Sequence, residues 1–282
     1  MKYKKISLSI LYLVMLFLVI FTACTPSNTP TYGNIEIQSD PPGAKVYIDG
    51  VDTGKVTPYI GANIETGVHT VRLELFQYQN KEDTNVIILA NGSTYLNWEM
   101  IKAPEQTITL QPGKDVEDAW VSSEYPSWNF NDDYLYIGTG PLLRSYIRFN
   151  LSSLPSNAVI LDAEFGIHQY FYSTSALAMS LEIGLYRVKS PWAEDLLIWD
   201  NQPDSSIVEE DVISIPFNPG VSFVYWNISD LVQGWIDGNI INNGILLRVV
   251  NEISDEGWIG FWSSGYGEVG KRPKLELKYY IP

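Results

Sequence analysis

Apolar and polar residues alternate with a period of two along most of this chain, and one segment departs from that pattern for a helical one. In residues 145–151, Ile147, Phe149 and Leu151 point one way and Tyr146 and Arg148 the other. Residues 161–171 repeat the pattern with Ala163, Phe165 and Ile167 inward. Leu181, Ile183 and Leu185 follow it, as do Ile245, Leu247 and Val249, and Leu275, Leu277 and Tyr279. Side chains alternate faces along a strand, so such runs bury one face against a second layer. The departure is residues 229–237, where Leu231, Val232, Trp235 and Ile236 recur at helical spacing. Asn227 or Ser229 can cap that helix and Gly238 can end it. Many short strands, turn signals and one short helix predict an all-β chain. Residues 107–282 are expected to form a β-sandwich of jelly-roll kind, with the helix plugging one open end of its core.

Residues 33–101 read as a separate, smaller antiparallel β domain. Ile35 and Ile37 alternate with polar neighbours, and a short strand at 45–48 is closed by Asp49-Gly50. Val71, Leu73 and Leu75 alternate again. Asn91-Gly92 lies between the runs 86–89 and 95–100, which predicts a hairpin there. Residues 102–106, with Pro104, form a short linker to the larger domain.

Ahead of both domains, residues 1–23 carry Lys2, Lys4 and Lys5, then the apolar run 10–21, then small residues. This order reads as an export signal, and its apolar core is too short for a comfortable membrane span. Ile20-Phe21-Thr22-Ala23-Cys24 resembles a bacterial lipobox. The resemblance implies that Cys24 is lipidated and that the protein is extracytoplasmic, anchored by lipid to the cell membrane or outer membrane. Residues 24–32 are a polar Pro/Ser/Thr linker that would hold the folded part off the bilayer. Cys24 is the one cysteine of the 282 residues, so no disulfide forms within the chain. The net charge of −15 repels nucleic acid and sets that partner class aside. With 2 histidines, His69 and His168, a histidine-rich metal site is excluded.

Two family resemblances follow from ordered motifs. In the first domain Pro42-Gly43-Ala44, the run Val46-Tyr47-Ile48-Asp49-Gly50, then Gly54, Thr57-Pro58 and Gly67-Val68-His69 resemble a PEGA domain. The resemblance implies a small, extracellular, non-enzymatic spacer. In the second, Asp118-Ala119-Trp120-Val121, Asn129-Phe130-Asn131, Arg148-Phe149-Asn150-Leu151, the tryptophan loop of Trp192, Glu194, Trp199 and Pro203, the helix, and Phe261-Trp262-Ser263-Ser264 occur in order. That order resembles the DNRLRE family, whose members are similar to CBM96 carbohydrate-binding modules. It implies a jelly-roll fold and, for some members, polysaccharide binding. Trp192, Trp199 and Trp226 are landmarks of that pattern and read as internal framework.

Nothing in the sequence carries a catalytic signature. No Gly-x-Ser-x-Gly is present, and adjacent acids on irregular stretches do not make the separated carboxyl pair of a glycosidase. The chain therefore reads as a non-enzyme. Asp115, Asp118, Asp132 and Asp133 supply hard-oxygen ligands for a structural calcium ion. Sugar rings stack on exposed aromatic faces. On that ground Tyr125, Trp128, His168, Tyr170 and Tyr172 are the candidate carbohydrate-binding residues. Lys271, Arg272 and Lys274 form the one basic cluster, which favours a neutral glycan or a protein ligand. Two partners are thus weighed: a polysaccharide or cell-wall glycan held by the sandwich, and a protein partner for which the sandwich is a scaffold.

Overall fold

The computed structural model describes residues 31–111, 116–174, 179–217, 221–253 and 257–282. Cys24, most of the polar linker and Asp115 lie outside these. The contacts divide the chain into two compact units. Phe76–Gln79 and Ile101–Pro282 form the second; the first runs up to Leu75 and resumes over Asn80–Met100. Among the described residues no helix is long and apolar enough to cross a membrane.

The first unit contains β1 (Tyr32–Asp40), β2 (Lys45–Ile48), β3 (Val51–Val56), β4 (Tyr59–Glu65), β5 (Gly67–Glu74), β6 (Lys81–Ile88) and β7 (Ser93–Glu99). They make two sheets, in the orders β4-β1-β7 and β3-β2-β5-β6. The alternating apolar residues Ile35, Ile37, Val46, Val71, Leu73, Val86 and Ile88 are the buried ones. Asp49-Gly50 is a hairpin turn joining β2 to β3, with φ of 51° and 78°. Thr57 organises the Pro-Gly-Ala loop: its Oγ1 accepts the N–H groups of Gly43 (3.1 Å) and Ala44 (3.0 Å). This explains why two motifs over a dozen residues apart belong together.

The hairpin expected at Asn91-Gly92 does not form. Asn91 does adopt a positive φ of 50°, but β7 pairs in parallel with β1 instead of folding back on β6. The turn is stitched to β1, Asn91 N–H donating to Tyr32 O and Asn34 N–H to Gly92 O, both at 2.9 Å. A turn dipeptide dictates the local φ values, whereas the partner strand is chosen by whichever edge is free to receive it. The unit is antiparallel except for this pair.

The second unit contains β8 (Gln106–Leu110), β9 (Val116–Ser122), β10 (Tyr134–Gly138), β11 (Leu143–Phe149), β12 (Val159–Thr174), β13 (Ser180–Arg187), β14 (Asp211–Pro216), β15 (Phe223–Asn227), α1 (Ser229–Ile236), β16 (Ile245–Val249), β17 (Gly257–Trp262) and β18 (Lys274–Tyr280). The strands follow one another as β14-β13-β16-β11-β10-β17-β12-β18-β8, with β9 paired to β11 and β15 to β12. The path curls into a sandwich because β12 serves both layers. Its first part pairs with β15 and β18, and its last six residues pair with β17. A bulge between Gln169 and Phe171 marks the change of partner. Bulges sharpen the local twist, which lets one strand pass from layer to layer.

The core lies between the layers and is built largely from the predicted alternating residues, among them Ile147, Phe149, Phe165, Ile167, Ile183, Leu247 and Leu277, joined by Phe261. Leu231 and Val232 of α1 join it, with Trp235 and Ile236 packed against it. Asn227 Oδ1 accepts the Ser229 N–H at 3.1 Å, and the Ser229 hydroxyl accepts the Ala163 N–H at 2.8 Å. The N-cap position is held by Ile228, which offers no side-chain cap, so neither Asn227 nor Ser229 occupies it; the Ser229 bond instead fastens the first turn of the helix to β12.

Candidate functional site

The sheet carrying β10, β17 and the end of β12 is apolar on both faces, for different reasons. Leu135, Ile137, Ile259 and Phe261 point into the core. The alternate residues Tyr134, Tyr136, Trp258 and Trp262 point outward, in register across the two strands. Gly260 stands among them and makes room. A Cβ there would lie 2.9 Å from the Tyr170 ring and 3.0 Å from the Tyr136 ring. Over that glycine the Tyr136 and Tyr170 hydroxyls share a 2.6 Å hydrogen bond. Burial pushes both phenols above their ordinary pKa, and at Tyr170 the bond with Tyr136 adds to it. Both hydroxyls therefore stay protonated at neutral pH. Tyr170 stacks on Trp262 at 4.2 Å, and Trp262 on Tyr266 at 3.6 Å.

The band continues beyond Tyr136. Trp120, on β9, meets Tyr136 edge-on at 4.8 Å and stacks on Phe130 at 3.9 Å. These rings line a depression of about 300 Å³ that also includes Tyr125, Trp258 and Glu124. Tyr125 and Trp128 sit 5.2 Å apart, 43% and 60% exposed. Asn129 fixes the loop that presents them: its Nδ2 donates to Glu194 O and Leu197 O, both at 2.7 Å. The Asn-Phe-Asn motif thus serves to hang an aromatic loop on the neighbouring tryptophan loop.

The five aromatic and histidine candidates separate in space. Tyr125 lines the depression with Trp128 beside it, and Tyr170 joins the same band through Tyr136. Tyr172 lies opposite Ile259 and packs on Phe217 at 6.1 Å. His168 is buried edge-on against Phe223 at 5.0 Å, and burial holds its ring below the ordinary histidine pKa. Trp120, Phe130 and Tyr136 are not among the binding candidates that the sequence offers. The signal for Tyr136 was present in the parity of residues 134–137, since it alternates with the core residues Leu135 and Ile137. Trp120 and Phe130 belong to a β9–loop contact that no local pattern announces.

The tryptophan loop has a different task. Trp192 and Trp199 pack on a second apolar cluster of Ala119, Val121, Tyr146, Tyr186, Val188, Leu197 and Leu246. Trp192 Nε1 donates to Asn243 O at 2.8 Å. Arg144 lies 4.8 Å over Trp199, Arg148 5.5 Å over Trp192 and Arg248 4.1 Å over Tyr186. Arg144 is also held by both oxygens of Glu252, at 2.7 and 2.6 Å.

The carboxylates of Asp118 and Asp132 are engaged with the protein, and Asp133 is held through its backbone carbonyl. Asp118 is buried; its two oxygens accept the Ser264 N–H (2.7 Å) and hydroxyl (3.0 Å). Burial, with Glu194 and Asp132 nearby, pushes its pKa up to about 7. Asp132 Oδ1 accepts the Tyr134 N–H at 3.1 Å, and Asp133 O accepts the Ser263 N–H at 3.0 Å. Among the described residues no three His, Cys, Asp or Glu side chains are grouped to hold a metal ion. The basic cluster is likewise committed. Lys271 pairs with Glu268 at 2.8 Å, Lys274 with Glu276 at 3.1 Å, and Arg272 Nε donates to Tyr266 O at 2.6 Å.

Residues 107–279 match the model of carbohydrate-binding module family 96, and residues 32–101 match that of the PEGA domain. No curated protein sequence matches the chain.

Proposed function

Because the chain belongs to carbohydrate-binding module family 96 through residues 107–279, we propose that it is a cell-surface lipoprotein that holds polysaccharide or cell-wall glycan without cleaving it. The observation that carries this reading is the aromatic depression lined in part by Tyr125, with the exposed Trp128 ring 5.2 Å from Tyr125. Stacking of sugar rings uses flat, exposed aromatic faces held in place by a rigid sheet. Among the described residues Glu124 is the one carboxylate in the depression's lining, whereas glycoside hydrolysis uses two across the scissile bond. Among the described residues the lining holds no lysine or arginine, which suits a neutral glycan. The PEGA unit fits a spacer between anchor and binding domain.

Affinity electrophoresis in gels containing xylan, galactomannan or laminarin, with pull-down on chitin and peptidoglycan, tests the binding. Tyr125→Ala and Trp128→Ala are each expected to weaken retention about tenfold, the effect of losing a central aromatic contact. Their melting temperatures should stay at the wild-type value, since both side chains are exposed. If wild type is retained on none of these glycans and crosslinks in the native envelope to protein neighbours alone, the scaffold reading replaces this one. The anchor has its own test. Cys24→Ala is expected to move the protein from the membrane fraction to the soluble one; a wild-type distribution would remove lipidation at Cys24 from the proposal.

A further inference from the structure

The parallel pairing of β7 with β1 sets where the chain enters and leaves the smaller unit. Its register runs over seven pairs, from Asn34 with Ser93 to Asp40 with Glu99, a ladder about 20 Å long at the rise of a strand. The segment that follows Cys24 joins β1 at the Asn34 end of this ladder, and the chain leaves β7 at the Glu99 end. At the entry Thr66 N–H donates to Thr31 O at 2.8 Å and Asn91 N–H to Tyr32 O at 2.9 Å; at the exit Met100 N–H donates to Asp40 O at 2.8 Å. The chain also quits the unit after Leu75 and rejoins it at Asn80, again at the exit end. Leu73 pairs with Lys81 there, while Ile88, at the other end of β6, lies against Gly33 near the entry.

A pull between entry and exit therefore acts along the strands. β1 is the central strand of its sheet, flanked by β7 and β4, and its Ile35 and Ile37 are fully buried. To slide β1 out, the bonds of the β1–β7 ladder must yield together. The β1–β4 ladder must slip with them, and both isoleucines must leave the core. A single backbone hydrogen bond contributes little. Bonds loaded side by side share the force and break as a group, whereas bonds peeled from one end break one after another.

We infer that the smaller unit is a force-bearing link, in which a load entering at Tyr32 and leaving at Glu99 shears the β1–β7 ladder instead of unzipping it. The inference rests on the reading above, with Cys24 held at the membrane and residues 107–279 holding a glycan, because those two attachments put the unit under tension. A protein that grips a bilayer at one end and a polymer at the other is pulled whenever cell and polymer move apart. A spacer that unzipped would lengthen under that pull; one loaded in shear keeps its length.

Single-molecule pulling on residues 24–282, produced without lipid so that Cys24 is the one native thiol, tests it through the choice of the second attachment point. Glu105→Cys, at an exposed position past the exit, loads the unit from entry to exit. Glu65→Cys, exposed and opposite Tyr32 in the β1–β4 register, loads the unit at its entry end alone and peels β1 from β4. At one pulling speed the unfolding force is expected to be about threefold higher through Glu105→Cys, since forced unfolding follows the unfolding rate and shear opposes it with the whole ladder. Val68→Cys, 64% exposed at the same end, takes the place of Glu65→Cys should that variant lose its fold. Equal forces in the two geometries, or a lower force through Glu105→Cys, overturn the inference and leave the functional reading intact. No retention of wild type on any glycan tested, or an unchanged membrane distribution of Cys24→Ala, removes the load and overturns the inference together with that reading, whatever the two forces are.

Discussion

In Asp118→Asn the second unit is expected to lose a pH dependence of stability worth about 4 kcal/mol in the wild type. The Asp118 carboxyl has its pKa raised from 3.8 to about 7, first by burial and then by Glu194 and Asp132, against the opposing pull of its two bonds from Ser264. Between those values the folded state holds a proton that the unfolded chain has released. Raising the pH through this window therefore favours unfolding, and the stability contribution is present at pH 4 and gone above pH 7. Asparagine keeps the shape and an acceptor for the Ser264 N–H but has no proton to lose. Chemical denaturation at pH 4.5 and pH 8 checks this. The difference between the two pH values should shrink by several kcal/mol in the variant, and equal slopes for both proteins would refute the assignment. Asp118 also ties Ser264, in the turn between Trp262 and Tyr266, to the strand carrying Trp120.

Trp226→Ala is expected to cost about 3–5 kcal/mol, the range for deleting a large aromatic side chain from a packed core. Trp226 is 0% exposed, packs on Phe165 at 5.7 Å and donates from Nε1 to Ile183 O at 3.1 Å. It therefore bridges β15, β12 and β13, and no neighbour can refill the space without breaking register. For a domain of this size the melting temperature should fall by roughly 10 °C. Trp128→Ala, by contrast, should remain within about 0.5 kcal/mol of wild type. Calorimetry of the two variants separates framework tryptophans from ligand-facing ones. A small effect at Trp226 would mean that the core collapses around the vacancy.

The two units differ in how much of them could be read from residues alone. In the larger one the period-two runs identified which side chains are inside, because burial of one face leaves a direct mark on composition. The helix at Ser229–Ile236 was equally legible from its apolar spacing, a local property, although Ile228 and not Asn227 or Ser229 occupies its N-cap position. In the smaller one Asp49-Gly50 formed its hairpin and Asn91-Gly92 did not, although both are turn dipeptides. The difference is the edge of β1, which accepts β7 in parallel, and an edge is a property of the assembled sheet.

The candidate site shows the same division. Tyr125, Trp128 and Tyr170 were drawn from aromatic excess, and the fold joins them into one band. Tyr172 and His168 were drawn from the same run, but the bulge after Gln169 and the pairing with β15 turn them away from it.

By itself the sequence determined the all-β class, the helix at Ser229–Ile236, the inward-facing residues and the framework role of Trp192, Trp199 and Trp226. Each follows from periodicity or from ordered motifs, which are written along the chain. Tertiary structure alone decided that Trp120, Phe130, Tyr136 and Trp258 share a depression, and that Gln169 is buried. Those facts depend on which strands become neighbours and where one of them bulges. Pairing is settled by the packing of both layers at once, and no window of residues contains it.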